Sequence, residues 1–69
     1  MLPFKELRSA MKYADLKQSD LAKHLGVSLA HVNQLFNGHV SWRLNEAYAT
    51  LELLHADVDE FTDYFPKEL

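Results

Sequence analysis

Four carboxamides, Gln18, Asn33, Gln34 and Asn37, stand close together in the middle of this chain. An amide carries a donor and an acceptor on one planar group, so it can pair with the edge of a flat partner that offers the complement. The other residues suited to chemistry are His24, His31, His39 and His55, separated by seven, eight and sixteen positions. A helical zinc pair needs two histidines four apart, and no carboxylate joins these four in a ligand motif. The chain has no cysteine, so thiolate nucleophiles, thiolate metal sites and disulfides are ruled out. Its two glycines build no phosphate-cradling loop, and no nucleophile elbow is present. A domain of this size has little room for a deep pocket. The expectation is a binding protein, with neither catalysis, metal nor cofactor.

The elements that would position the amides can be read from helix signals. One helix should begin at Gln18 and stop at Gly26, which supplies the positive φ of a sharp exit. A second should be capped by Ser28 and end at Asn37-Gly38. Leu21, Leu25, Val27, Val32 and Leu35 fall where side chains of both helices meet, and Ala22 is small where the second helix crosses the first. The run 18–38 therefore reads as a helix-turn-helix, the unit that lays its second helix in the major groove of DNA. A plain helical hairpin that only packs is the alternative. Before it, Phe4, Leu7, Met11 and Ala14 predict a helix from about Pro3 to Ala14. After it, Leu44, Ala47, Tyr48, Leu51 and Leu54 predict a fourth, from Trp42 or Leu44 to His55. Asp57 and Glu60 form a capping box for a short fifth helix holding Phe61, Tyr64 and Phe65, which Pro66 ends. The predicted fold is all-α, a single compact five-helix domain over residues 1–69.

The pattern Gln18-x-x-Leu21-Ala22-x-x-Leu25-Gly26-Val27-Ser28-x-x-x-Val32-x-x-Leu35-x-Asn37-Gly38 resembles the DNA-binding domain of phage lambda-type repressors and Cro proteins. The resemblance implies a lambda-repressor-like five-helix fold and a transcriptional regulator that occupies operator DNA, usually as a homodimer. The chain length suits a Cro-like protein, or the DNA-binding piece of a longer repressor. Two positions depart from the pattern. Lys17 replaces the usual Ser, Thr or Asn cap of the first motif helix, and Phe36 stands where a charged residue is common.

If Val32 and Leu35 point inward, Leu29, Ala30, Asn33 and Gln34 face the other way and become the candidate base readers. The resemblance implies the same set. Gln34 can hold adenine N6 and N7 with both ends of its amide, and Asn33 can do so with less reach. Leu29 and Ala30 are limited to thymine methyl groups or to excluding wrong bases. Phosphate contacts are expected from Lys17 and Gln18, where a helix start offers free N–H groups to an anion. The resemblance adds Ser28 and Asn37 around the second motif helix and Arg43 just beyond it. His31 and His39 are weaker candidates, and Lys23 reads as a solvated charge.

The formal net charge is −3 with a pI of about 5.7, acidic for a nucleic-acid binder. The charges are segregated, however. Residues 1–45 carry Lys5, Arg8, Lys12, Lys17, Lys23 and Arg43 against Glu6, Asp15 and Asp20. Residues 46–69 carry Lys67 against Glu46, Glu52, Asp57, Asp59, Glu60, Asp63 and Glu68. With a Debye length of about 8 Å at physiological salt, a local basic face can act on phosphate independently of an acidic end. Apolar residues make up 48%, enough for one core and too many for disorder. No stretch approaches the roughly 18 apolar residues of a membrane span, and no signal-peptide core is present. The expected setting is cytoplasmic, bacterial and nucleoid-associated.

Pairing on DNA requires a dimer surface, for which Trp42, Phe61, Tyr64, Phe65 and Leu69 are the candidates, with Phe36 a further exposed aromatic. Closure of the core by the same rings is the competing reading. Two rival functions fit the sequence. An antitoxin-type autorepressor would bind a toxin through its acidic end. A protein-interaction module, an antirepressor or adaptor, would have kept the helix pair and lost DNA binding.

Overall fold

The computed structural model describes residues 3–65. Among these the chain forms α1 (Lys5–Tyr13), α2 (Gln18–Leu25), α3 (Leu29–Phe36), α4 (Leu44–Leu53), a 3-10 turn (Val58–Glu60) and α5 (Phe61–Tyr64), with no strand. The longest helix has ten residues. Helices this short are marginal alone in water, so packing must hold them. The Cα radius of gyration, 10.7 Å, matches the ~11 Å of a folded chain of this length.

Helix entries are set largely by carboxylates three residues in. The Lys17 backbone N–H donates to Asp20 Oδ2 at 2.9 Å, that of Arg43 to Glu46 Oε1 at 2.8 Å, and that of Asp57 to Glu60 Oε2 at 2.9 Å. Lys17 and Arg43 have no side-chain oxygen to offer as caps, and the acid at the third helical position ties down the entry instead. Only α3 has a side-chain cap of the expected kind, with Ser28 Oγ accepting from the His31 N–H at 3.1 Å. Entry into α1 differs from expectation. Phe4 precedes the helix in a left-handed conformation (φ 55°, ψ 43°), so the first helical turn does not include Pro3. Its ring packs edge-on against Trp42, with centroids 5.9 Å apart.

The exits share one geometry. After α2, Gly26 (φ 71°) lets the Val27 N–H reach the Ala22 carbonyl. After α3, Gly38 (φ 75°) lets the His39 N–H reach Gln34. The same crossed pattern closes α1 through Asp15 (φ 58°) and α4 through His55 (φ 57°) without glycine. All four are Schellman closures that satisfy otherwise orphaned carbonyls. α4 thus stops at Leu53, slightly short of the predicted end, and the region after Asp57 begins as a 3-10 turn before α5. Pro66, the predicted stop of α5, lies outside the described residues.

α2 packs against α3 and α4, while α1 is held against α5. Leu7, Met11, Leu21, Val32, Leu35, Ala47 and Leu51 are buried between them. Beside them sits an aromatic cluster centred on Trp42. Phe36 meets its ring at 5.5 Å and Phe65 at 4.8 Å, both edge-on. Such pairs add about 0.5–1.5 kcal/mol to the burial itself. Several expected core positions are instead exposed: Ala14, Leu44 and Tyr48. In α4, Glu46 and Thr50 take buried places. The Thr50 hydroxyl is satisfied by donating to the Glu46 carbonyl at 2.8 Å.

Among the described residues, no helix is long and apolar enough to cross a membrane.

Candidate nucleic-acid interface

α3 divides cleanly into two sides. Val32, Leu35 and Phe36 are buried, whereas Leu29, Ala30, Asn33 and Gln34 are all exposed. Leu29 is 52% exposed, so it is not a core residue. The four candidate readers therefore share a solvent-facing surface on a helix whose start is fixed by Ser28 and whose end is fixed by Gly38. The side-chain amide of Gln34 makes no hydrogen bond among the described residues, and both of its ends are available.

Asn33 is more constrained. Arg8 Nη2 donates to Asn37 Oδ1 at 3.2 Å, and Asn37 Nδ2 donates to Asn33 Oδ1 at 3.0 Å. This relay leaves the Asn33 NH₂ group as its outward function, a donor suited to an acceptor on a base edge. The two-ended adenine contact expected of Asn33 would have to share its oxygen with Asn37. Arg8 is itself fixed. Its Nη2 donates to the Phe36 carbonyl at 2.8 Å, its Nε to the Pro3 carbonyl at 2.8 Å, and its guanidinium lies 5.5 Å over the Phe36 ring.

The expected phosphate contacts fall into two groups. Lys17 and Arg43 are exposed at the starts of α2 and α4, and Gln18 is half-buried beside Lys17. Beside Lys17 and Gln18 opens a recess of about 340 Å³, lined also by Arg8, Lys12, Asp15 and the apolar Met11, Leu16 and Phe36. Ser28, His31 and Asn37 already have partners within the protein. Ser28 Oγ caps α3, and Asn37 joins the amide relay. His31 Nε2 lies 2.8 Å from Glu46 Oε2, so the ring is turned to a carboxylate on α4. His39 is exposed in the loop after α3.

Of the residues offered for a dimer surface, Trp42 and Phe65, together with Phe36, follow the competing reading and close the core. Trp42 and Phe65 are each 2% exposed, and Phe36 is 1% exposed. In a chain this small, burying these large rings against one another removes a large share of its apolar surface from water. Phe61 and Tyr64 are half-buried, with Phe61 packed against Tyr48 at 5.2 Å and Phe65 at 5.3 Å. Leu69 lies outside the described residues.

Arg8 and Glu46 are the two site-supporting residues that the sequence did not single out. Glu46 is 7% exposed, and its two oxygens join the start of α4 to the first turn of α3. Its place three residues after Arg43 was a usable capping signal, but no polar cap stood in front of it to draw notice. Arg8 gives no local signal, because its partners Phe36 and Asn37 are far away in sequence.

Comparison with protein-family models, with curated proteins and with solved structures finds no match to this chain.

Proposed function

We propose that the chain is a sequence-reading DNA-binding regulator of transcription, similar to the Cro and lambda-type repressors, with α2 and α3 as its helix-turn-helix. The observation that carries this reading is the exposed side of α3, where Leu29, Ala30, Asn33 and Gln34 stand together beyond a buried Val32, Leu35 and Phe36. Gln34 would take an adenine with both ends of its amide, and Asn33 would donate to a neighbouring acceptor. Leu29 and Ala30 suit thymine methyl groups. Lys17, Gln18 and Arg43 would hold phosphates on either side and fix the register without reading sequence. Two copies on a two-fold operator would place their α3 helices about 34 Å apart. Occupancy would then exclude polymerase, and no cofactor is needed.

Selection of preferred duplexes from a random pool, followed by titration at several salt concentrations, tests this. A recovered palindrome is expected. With Lys17 and Arg43 each neutralising a phosphate, log K should fall with log salt at a slope of about −2 per subunit. Failure to bind any duplex at low salt would overturn the reading in favour of a protein-interaction module.

A further inference from the structure

α1 carries opposite charges on two sides. Arg8 and Lys12 border the recess described above, whereas Glu6 and Tyr13 border a second, larger groove of about 520 Å³. This groove runs between α1 and the segment joining α4 to α5. Its floor is small and apolar, made by Ala10, Ala14 and Leu54. Glu6, Glu60 and Tyr64 also line it, with Tyr13 at its rim. No lysine or arginine among the described residues lines it; its one basic side chain is the imidazole of His55.

Two carboxylates, Glu6 and Glu60, line the groove against a single imidazole, and two neighbouring tyrosines bear on how it could be used. Tyr13 is 95% exposed, so a large ring stands at the rim with almost nothing of the protein against it. The Tyr64 phenol is pushed above its ordinary value, first by burial and then by the carboxylates of Glu60, Asp63 and Glu6. Those acids come from α1, the 3-10 turn and α5, so folding gathers them around one hydroxyl.

We propose that this groove is a docking site for a basic, amphipathic segment of a partner protein. Arginine or lysine heads at the edge of the segment would pair with Glu6 and Glu60, and its apolar side chains would lie over Ala10, Ala14 and Leu54. Tyr13 can close over the segment and offer its ring face to a guanidinium. Charge complementarity chooses this occupant. A nucleic acid is repelled by the same carboxylates, and an apolar helix would leave them desolvated without partners. The site is separate from the exposed side of α3 and does not depend on DNA binding.

The test uses a labelled helical peptide with arginine on one face and leucine on the other, beside twins carrying glutamine or glutamate for arginine. The intact chain should bind the arginine peptide, and neither twin. In the double variant Glu6→Gln, Glu60→Gln, affinity should fall about tenfold at low salt, a difference that shrinks as salt is raised. Glutamine at position 60 keeps an acceptor for the Asp57 N–H, so the fold should survive, as checked by circular dichroism. Backbone NMR shifts on binding should centre on Ala10, Tyr13, Ala14 and Ala56. Equal binding of the three peptides, shifts centred on α3, or no binding at low salt would overturn the proposal. So would self-association of the free chain that the double variant abolishes, because a second copy would then be the occupant.

Discussion

Oε2 of Glu46 lies 2.8 Å from Nε2 of His31, while the other oxygen of the same carboxylate accepts the Arg43 N–H at 2.8 Å. One largely buried side chain thus fastens the first turn of α3 to the start of α4. Glu46→Ala should remove a helix-entry bond and leave His31 without its partner, costing about 2 kcal/mol. Glu46→Gln should cost less, since an amide oxygen can still accept from Arg43. Urea or thermal unfolding of the three proteins measures this. A Glu46→Ala protein within about 0.5 kcal/mol of the parent would remove Glu46 as the fastening between the two helices.

Left-handed residues close four helices, two with glycine and two without. His55→Gly and Asp15→Gly should each stabilise by a few tenths to about 1 kcal/mol, because a side chain at positive φ is strained. Gly26→Ala should destabilise by about 1 kcal/mol through the same strain, for a Cβ there meets nothing within 4 Å. Chemical denaturation separates the signs. A stabilising Gly26→Ala would show that the closure of α2 relaxes.

Trp42 is the hub of the aromatic cluster. Trp42→Ala should cost about 3–5 kcal/mol, comparable to the whole stability of a small domain, and leave a largely unfolded chain. Trp42→Phe should retain the fold with a lower melting temperature. A folded Trp42→Ala protein altered only in its association state would restore Trp42 to the dimer surface.

On a selected duplex, Gln34→Ala should cost about 1–3 kcal/mol and relax preference at one base position. Arg43→Ala should weaken operator and random DNA alike and lower the salt slope by about one. Binding isotherms on both duplexes distinguish the two roles. Equal losses on both for Gln34→Ala would take Gln34 out of the reading set.

Tyr64 should govern part of the alkaline limb. Its phenol titrates above the ordinary tyrosine value, so the folded chain keeps a proton that the unfolded chain releases. Stability from this group is fully present below the unfolded value of about 10 and is lost as pH rises through the higher folded one. Phenolate absorbance compared between the parent and Tyr64→Phe isolates the step. A difference that titrates at or below the ordinary value would contradict the burial of the Tyr64 phenol among these carboxylates.

Local signals settled much of the architecture. Gly26, Ser28 and Gly38 act on the backbone within a few residues of themselves, so the ends of α2 and α3 could be read from the chain alone. The alternation of Val32 and Leu35 with Asn33 and Gln34 likewise determined which side of α3 faces solvent. Tertiary packing decided the rest, because it brings together residues whose separation hides them from any local pattern. The sequence leaves the rings of Trp42 and Phe65 open to a partner surface or to the core, and packing against one another with Phe36 decides for the core. Arg8 reached Asn37 across 29 positions, and Glu46 reached His31 across 15. A helix end is a matter of one residue's φ and its neighbour's N–H, whereas a buried ring or a shared carboxylate acquires its role only once distant segments compete for the same few cubic ångströms.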